Sequence, residues 1–157
     1  MNEFSAKRLG EILAFVDVLL ETCTKGKGAL TAVLGEERIS EIIRINRGYK
    51  DSIHTIADRA GVLHSVMSKL ESKGDKLRKM RDGHMDDKWD NATGVLEWLG
   101  YLEGMAIIHA STLVGVAEEI GHAELKSFAN SYDAYHIEMF SDMNEILHNL
   151  GRSKVKG

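Results

Sequence analysis

The sequence predicts an all-α protein, a bundle of four to six helices. Three observations carry this expectation. The 157 residues contain no proline, the residue that ends helices most sharply, so long uninterrupted helices are permitted. Apolar residues, 43% of the chain, recur at intervals of three and four rather than two. The 15 glycines are left as the main punctuation between the periodic stretches.

The first helix is expected from about Ser5, as N-cap, to Thr24. Leu9, Ile12, Leu13, Val16, Leu19, Leu20 and Cys23 mark its apolar face, and the run KGKG from Lys25 is a natural stop. A short apolar turn through Leu30, Val33 and Leu34 closes at Gly35. From Glu36, the residues Ile39, Ile42, Ile43, Tyr49, Ile53, Ile56, Ala60, Leu63, Met67, Leu70 and Leu77 form a second face. This face fits one long rod or several short helices broken at Gly48, Gly61 and Gly74. Residues 82–87 read as a loop. A third helix is expected from about Asp86 to Ile120 with Gly94, Gly100, Gly104 and Gly115 inside it, marking close helix contacts or kinks. A last helix follows Gly121, its buried stripe running Leu125, Phe128, Ala129, Tyr132, Ile137, Phe140, Met143, Ile146, Leu147 and Leu150. Residues 152–157 read as a frayed basic tail.

Four segments result: an N-terminal helix and short turn at 1–35, a basic segment at 36–82, an acidic two-helix hairpin at 86–151 for packing or dimerisation, and the tail. Charge separates them. The net charge of −4 resolves into −2 over residues 1–37, +5 over 38–82, −10 over 83–151 and +3 in the tail. A basic block between acidic ones suits an anion-binding surface, most often nucleic acid. Cys23 is the only cysteine, which excludes an internal disulfide and a cysteine-based zinc site and suits a cytoplasmic protein. The first residues lack the pattern of a signal peptide, and no apolar run approaches the length of a membrane helix.

The stretch TIADRAGVLHSVMSKL at 55–70 lies in the basic block. Ala57 is small enough for a second helix to approach, Gly61 sits where the chain turns, and Val62 would plug the core beneath the turn. Ile56, Ala60, Met67 and Leu70 would be buried, leaving His64, Ser65, Ser68 and Lys69 outward. With GEERISEIIRINRG upstream and LESKG downstream, residues 38–74 resemble a helix-turn-helix of the Cro/repressor type. Leu63 and Val66 depart from that family's pattern. The resemblance implies a dimeric transcriptional regulator, not an enzyme, that binds double-stranded DNA. Lys69 and Lys73 would contact phosphate, and His64, Ser65 and Ser68 would face bases. Arg59, Lys76, Arg78, Lys79 and Arg81 would flank the backbone, and residues 86–151 would form the homodimer interface.

Two other patterns are weaker. Glu119-x-x-His122 and Asp51-x-x-His54 have the carboxylate–histidine spacing of ferritin-like metal bundles, with Glu11, Glu21, Glu97 or Glu103 as further ligands. Gly121 interrupts the first pair, and surface acids beside surface histidines explain both without metal. The run STLVG at 111–115 resembles a histidine phosphotransfer domain, but Ser111 and Val114 stand at the family's histidine and lysine positions, so no phosphotransfer is expected. His84, His136 and His148 read as satisfied or solvent-facing. Trp89 and Trp98 read as core or interface anchors. The sequence thus expects no metal and no cofactor, with a helical interaction module or a metal-binding bundle as alternatives to the DNA reader.

Overall fold

In a computed structural model, described over residues 1–156, the chain forms six helices and, among those residues, no strand. They are α1 (Glu3–Lys25), α2 (Lys27–Leu34), α3 (Glu36–Arg59), α4 (Leu63–Met85), α5 (Ala92–Glu119) and α6 (Ala123–Lys156). The all-α bundle is therefore the fold.

α1 starts at a capping box. Asn2 accepts from the Ser5 backbone N–H, and the Ser5 hydroxyl accepts from the Asn2 N–H. Ser5, expected as the cap, is its third residue instead. α1 is the axis of the fold. Its buried positions include Leu9, Ile12, Leu13, Val16 and Leu19, but also Ala6, Ala14, Phe15 and Val18 on other faces. A helix buried nearly all round must have neighbours on every side. α4, α5 and α3 supply them, α4 most extensively, while α5 packs chiefly on α6.

Gly10 sets the α1–α4 distance. A Cβ built there would lie 2.6 Å from the Val66 carbonyl oxygen and 2.7 Å from Lys69 Cβ. Only glycine lets the two backbones approach this closely. Val66 is accordingly fully buried, and Met67, expected in the core, is 38% exposed. The register of α4 on α1 turns residue 66 inward and rotates residue 67 out.

The region 36–81 is neither one rod nor three pieces. It breaks once, at Gly61 (φ 67°), while Gly48 and Gly74 lie inside continuous helices. At this break the Val62 N–H donates to Ala57 O and the Gly61 N–H to Asp58 O, the glycine-centred closure that satisfies terminal helix carbonyls. The α5–α6 join repeats it: Gly121 has φ 65°, and the His122 N–H donates to Ala117 O.

Other boundaries move. α4 runs through the expected 82–87 loop as far as Met85 and ends where Asp86 and Asp87 take left-handed backbone conformations. α5 begins only at Ala92, capped by Asn91, so Trp89 sits in the connection, where Lys25 and Arg81 lie over its ring. Trp98 is in the core and its Nε1–H donates to Thr22 Oγ1 at 3.2 Å. Residues 152–156, expected as part of a frayed tail, instead continue α6 to Lys156 and are exposed, and Gly157 lies outside the described residues. On α6, Ile137 and Phe140 are 50% and 37% exposed, and His136 and Met139 take the buried places. On α5, Ile120 is 36% exposed at the C-cap.

Candidate functional site

The basic segment is α3 and α4, and most of its charge is matched within the molecule. Lys50 pairs with Asp17 of α1 at 2.6 Å, and Lys69 with Glu11 of α1 at 3.1 Å. Arg78 and Arg81 both bind Glu21 of α1, at 2.9 and 2.7 Å, and Arg81 also binds Asp82. Arg38 reaches Asp142 of α6 and Arg59 reaches Glu124 of α6. Lys73 lies half-buried over the Phe15 ring, and burial lowers its ammonium pKa. The +5 of the sequence block is thus offset by acids from the two flanking segments.

Glu11 and Glu21 are the hubs. Burial pushes the Glu21 carboxyl up, but hydrogen bonds and charge from Arg78 and Arg81 outweigh it and hold the group below its ordinary value. Glu11 has the same balance: burial raises it, and Lys69, Arg8 and His109 bring it below its ordinary value. His109 Nδ1 lies 3.0 Å from Glu11 Oε2, and burial lowers the imidazole pKa against the pull of that carboxylate.

Of the residues expected at DNA, His64, Ser68, Lys76 and Lys79 are exposed, while Ser65 is half-buried. His64, Ser65, Ser68 and Lys69 line a shallow groove of about 400 Å³ with Glu3, Lys7 and Ser72. The structure brings these four together. It directs Lys69, Arg78 and Arg59 to carboxylates instead, and among the described residues Lys76 and Lys79 form no ion pair.

Neither metal-spaced pair is extended. Glu119 ends α5, and the Gly121 turn separates it from His122, whose Nδ1 accepts from the Leu125 N–H. Asp51 and His54 stand on α3, and among the described residues no three His, Cys, Asp or Glu side chains gather as a metal set.

A second centre lies between α5 and α6 and was not anticipated. Glu103 and His136, 2% and 1% exposed, hydrogen-bond through Oε2 and Nδ1. The His136 ring lies 4.0 Å from that of Tyr132, 5.0 Å from Tyr135 and 6.1 Å from Tyr49 of α3, centroid to centroid. Burial pushes the Tyr132 and Tyr135 hydroxyls far above their ordinary range, and the Glu103 charge adds to it. Cys23 is also buried, its thiol pushed up to about 12 by burial and then by Glu103. Such a thiol is inert at neutral pH. The sequence held a signal for this centre: Glu103 and His136 each fall on an apolar stripe, Leu99-Glu103-Ala106 and Tyr132-His136-Met139-Met143.

The α5–α6 hairpin presents large apolar side chains to solvent. Tyr101, Ile108, Ile137 and Phe140 are 56%, 69%, 50% and 37% exposed. Phe140 covers Gly104, whose Cβ would lie 3.3 Å from Phe140 Cε2. Between Gly104 and Ala117 there is no Asp, Glu, Lys or Arg. An 18-residue window of α5 has mean hydropathy 1.3, apolar enough by composition and length to cross a membrane, yet only 33% of it is buried. The short apolar runs expected from the sequence understated this helix, because its glycines and small polar residues divide them.

No family model, curated protein or solved structure matches this chain.

Proposed function

We propose that the protein is a helical interaction module that pairs with a second copy of itself through the outer face of α5 and α6. The observation that carries this reading is the exposure of the molecule's most apolar helix, with Tyr101, Ile108, Ile137 and Phe140 open to water. Contiguous apolar surface of this kind marks interaction sites. A second copy fits because the α5 part of the strip, from Gly104 to Ala117, has no Asp, Glu, Lys or Arg and is thus self-complementary in chemistry, and a two-fold interface presents one patch to itself. The acids of residues 83–151 flank it and repel their counterparts in the partner.

Salt therefore acts in a defined direction. Screening relieves the repulsion, so self-association tightens as ionic strength rises. Sedimentation equilibrium tests this: wild type forms a species of twice 17.4 kDa, more fully at high salt, and Ile108→Lys stays monomeric. A wild-type monomer at all concentrations and salts contradicts the reading.

The second reading is a DNA-binding regulator that uses such a dimer. It is favoured by the Gly61 turn, with His64 and Ser68 exposed just after it and Lys76 and Lys79 unpaired further along α4. Duplex affinity would fall steeply with salt, opposite to self-association. Replacing Lys76 and Lys79 by Ala would lower the salt slope by about 1 for each phosphate no longer neutralised. A duplex titration with no salt-dependent binding excludes it.

A further inference from the structure

Among the described residues, seven buried side-chain polar atoms have no hydrogen-bond partner, and three of them belong to Tyr132, Tyr135 and His136: two hydroxyls and Nε2. A fourth, Asn46 Oδ1, is on α3 one turn before Tyr49, whose ring meets those of Tyr132, Tyr135 and His136. Asn46 Nδ2 already donates to Ile42 O, which fixes Oδ1 as an acceptor. One unsatisfied buried polar atom is tolerable, but several around one buried acid–imidazole pair require a partner.

We propose that the Glu103–His136 centre is a binding site for a small neutral molecule that both donates and accepts hydrogen bonds: water, or a short-chain alcohol or amide. Neutrality follows from burial. Glu103 and His136 hydrogen-bond each other at 2% and 1% exposure, and an added charge would face desolvation with no further partner. Dual hydrogen bonding follows from the partners. Asn46 Oδ1 needs a donor, the tyrosine hydroxyls offer donors, and His136 Nε2 takes the role that the Nδ1 bond to Glu103 leaves it. Beside the centre lies the α3–α6 groove, of about 460 Å³, lined by Tyr49, Ser52, Thr55, Phe128 and Ser131 among others, and Tyr49 is the residue it shares with the ring cluster. The Tyr49 hydroxyl donates to Ser131 O at 3.2 Å, which holds the ring between the groove and the centre's aromatic rings.

The sign of a stability change tests the site. Tyr132→Phe and Tyr135→Phe each delete one hydroxyl and keep the ring. If the hydroxyls bind an occupant, each variant melts lower than wild type, by about 2–4 °C. If they are buried dry, deletion removes a desolvation penalty and the melting temperature is unchanged or higher, which overturns the proposal. A crystal structure of the full chain is the second measurement. Density within hydrogen-bond distance of His136 Nε2 and a tyrosine hydroxyl supports the site, and carbon packed against those atoms overturns it. Native mass spectrometry of the same protein separates the two sources: excess mass over the chain identifies an organic occupant, and the bare chain mass with that density identifies water.

Discussion

The α3–α4 and α5–α6 hairpins share a turn and differ in everything it joins. Each closes through one glycine with φ near 65° and the same pair of backbone hydrogen bonds. Both turns lie at one end of the bundle, where Arg59 at the end of α3 pairs with Glu124 at the start of α6. In α3–α4, charged side chains are plentiful and directed inward to Asp17, Glu11 and Glu21 of α1. In α5–α6, α5 has no Asp, Glu, Lys or Arg from Gly104 to Ala117, and the one buried pair, Glu103–His136, has no part in that network. The difference teaches that a run of cations in sequence does not establish a cationic surface, since tertiary pairing can consume it. It teaches also that an apolar stripe in sequence does not establish a core.

The largest test of the comparison is Glu103→Ala. It leaves His136 buried without its partner and is expected to cost about 3–5 kcal/mol in urea unfolding. A cost below that of an ordinary surface substitution would mean that the pair is incidental. Gly10→Ala probes the other hairpin, because the new methyl meets the Val66 carbonyl and the Lys69 stem. Overpacking there is expected to cost about 1–3 kcal/mol, with the loss of protection concentrated in α4 by hydrogen exchange.

Acid acts next. The Glu21 pKa is lowered in the folded state, so its contribution is full above the unfolded value and is lost as pH falls through the folded one. Stability should decline below about pH 4, by about 1 kcal/mol from this group after allowance for its 37% exposure. Glu21→Gln should lose that much at neutral pH and flatten the acid limb of the profile. An unchanged acid limb would remove Glu21 as a hub. Smallest are Gly61→Ala and Gly121→Ala, each about 1 kcal/mol for the left-handed backbone. Equal effects are expected at the two turns, and a marked inequality in their urea midpoints would show that the turns are not equivalent.

Much of this fold was legible in the chain. The faces of α1 and the turn at Gly61 followed from spacing and from glycine's freedom at positive φ. The end of α4 did not, because Gly83 has ordinary helical geometry and nothing within 4 Å of its would-be Cβ, so it adds to the helix where it reads as a breaker. Ile137 and Phe140 were expected inside because they are apolar, but helical register gives those places to His136 and Met139. The pairing of the charge block was hidden for a related reason. Lys69 and Arg81 meet partners dozens of residues away, and composition carries no information about such pairings. The same separation hid Glu103 and His136, although each interrupts an apolar stripe.

Cys23 is buried, so a cysteine introduced at the surface is the one accessible thiol among the described residues. This permits a direct comparison of the two hairpins by a short bis-maleimide linker on Ile108→Cys and on Lys79→Cys. Pairing through α5 and α6 predicts a covalent dimer from Ile108→Cys at low protein concentration, increasing with salt, and monomer from Lys79→Cys. Monomer from Ile108→Cys, or equal cross-linking at both positions, would contradict it.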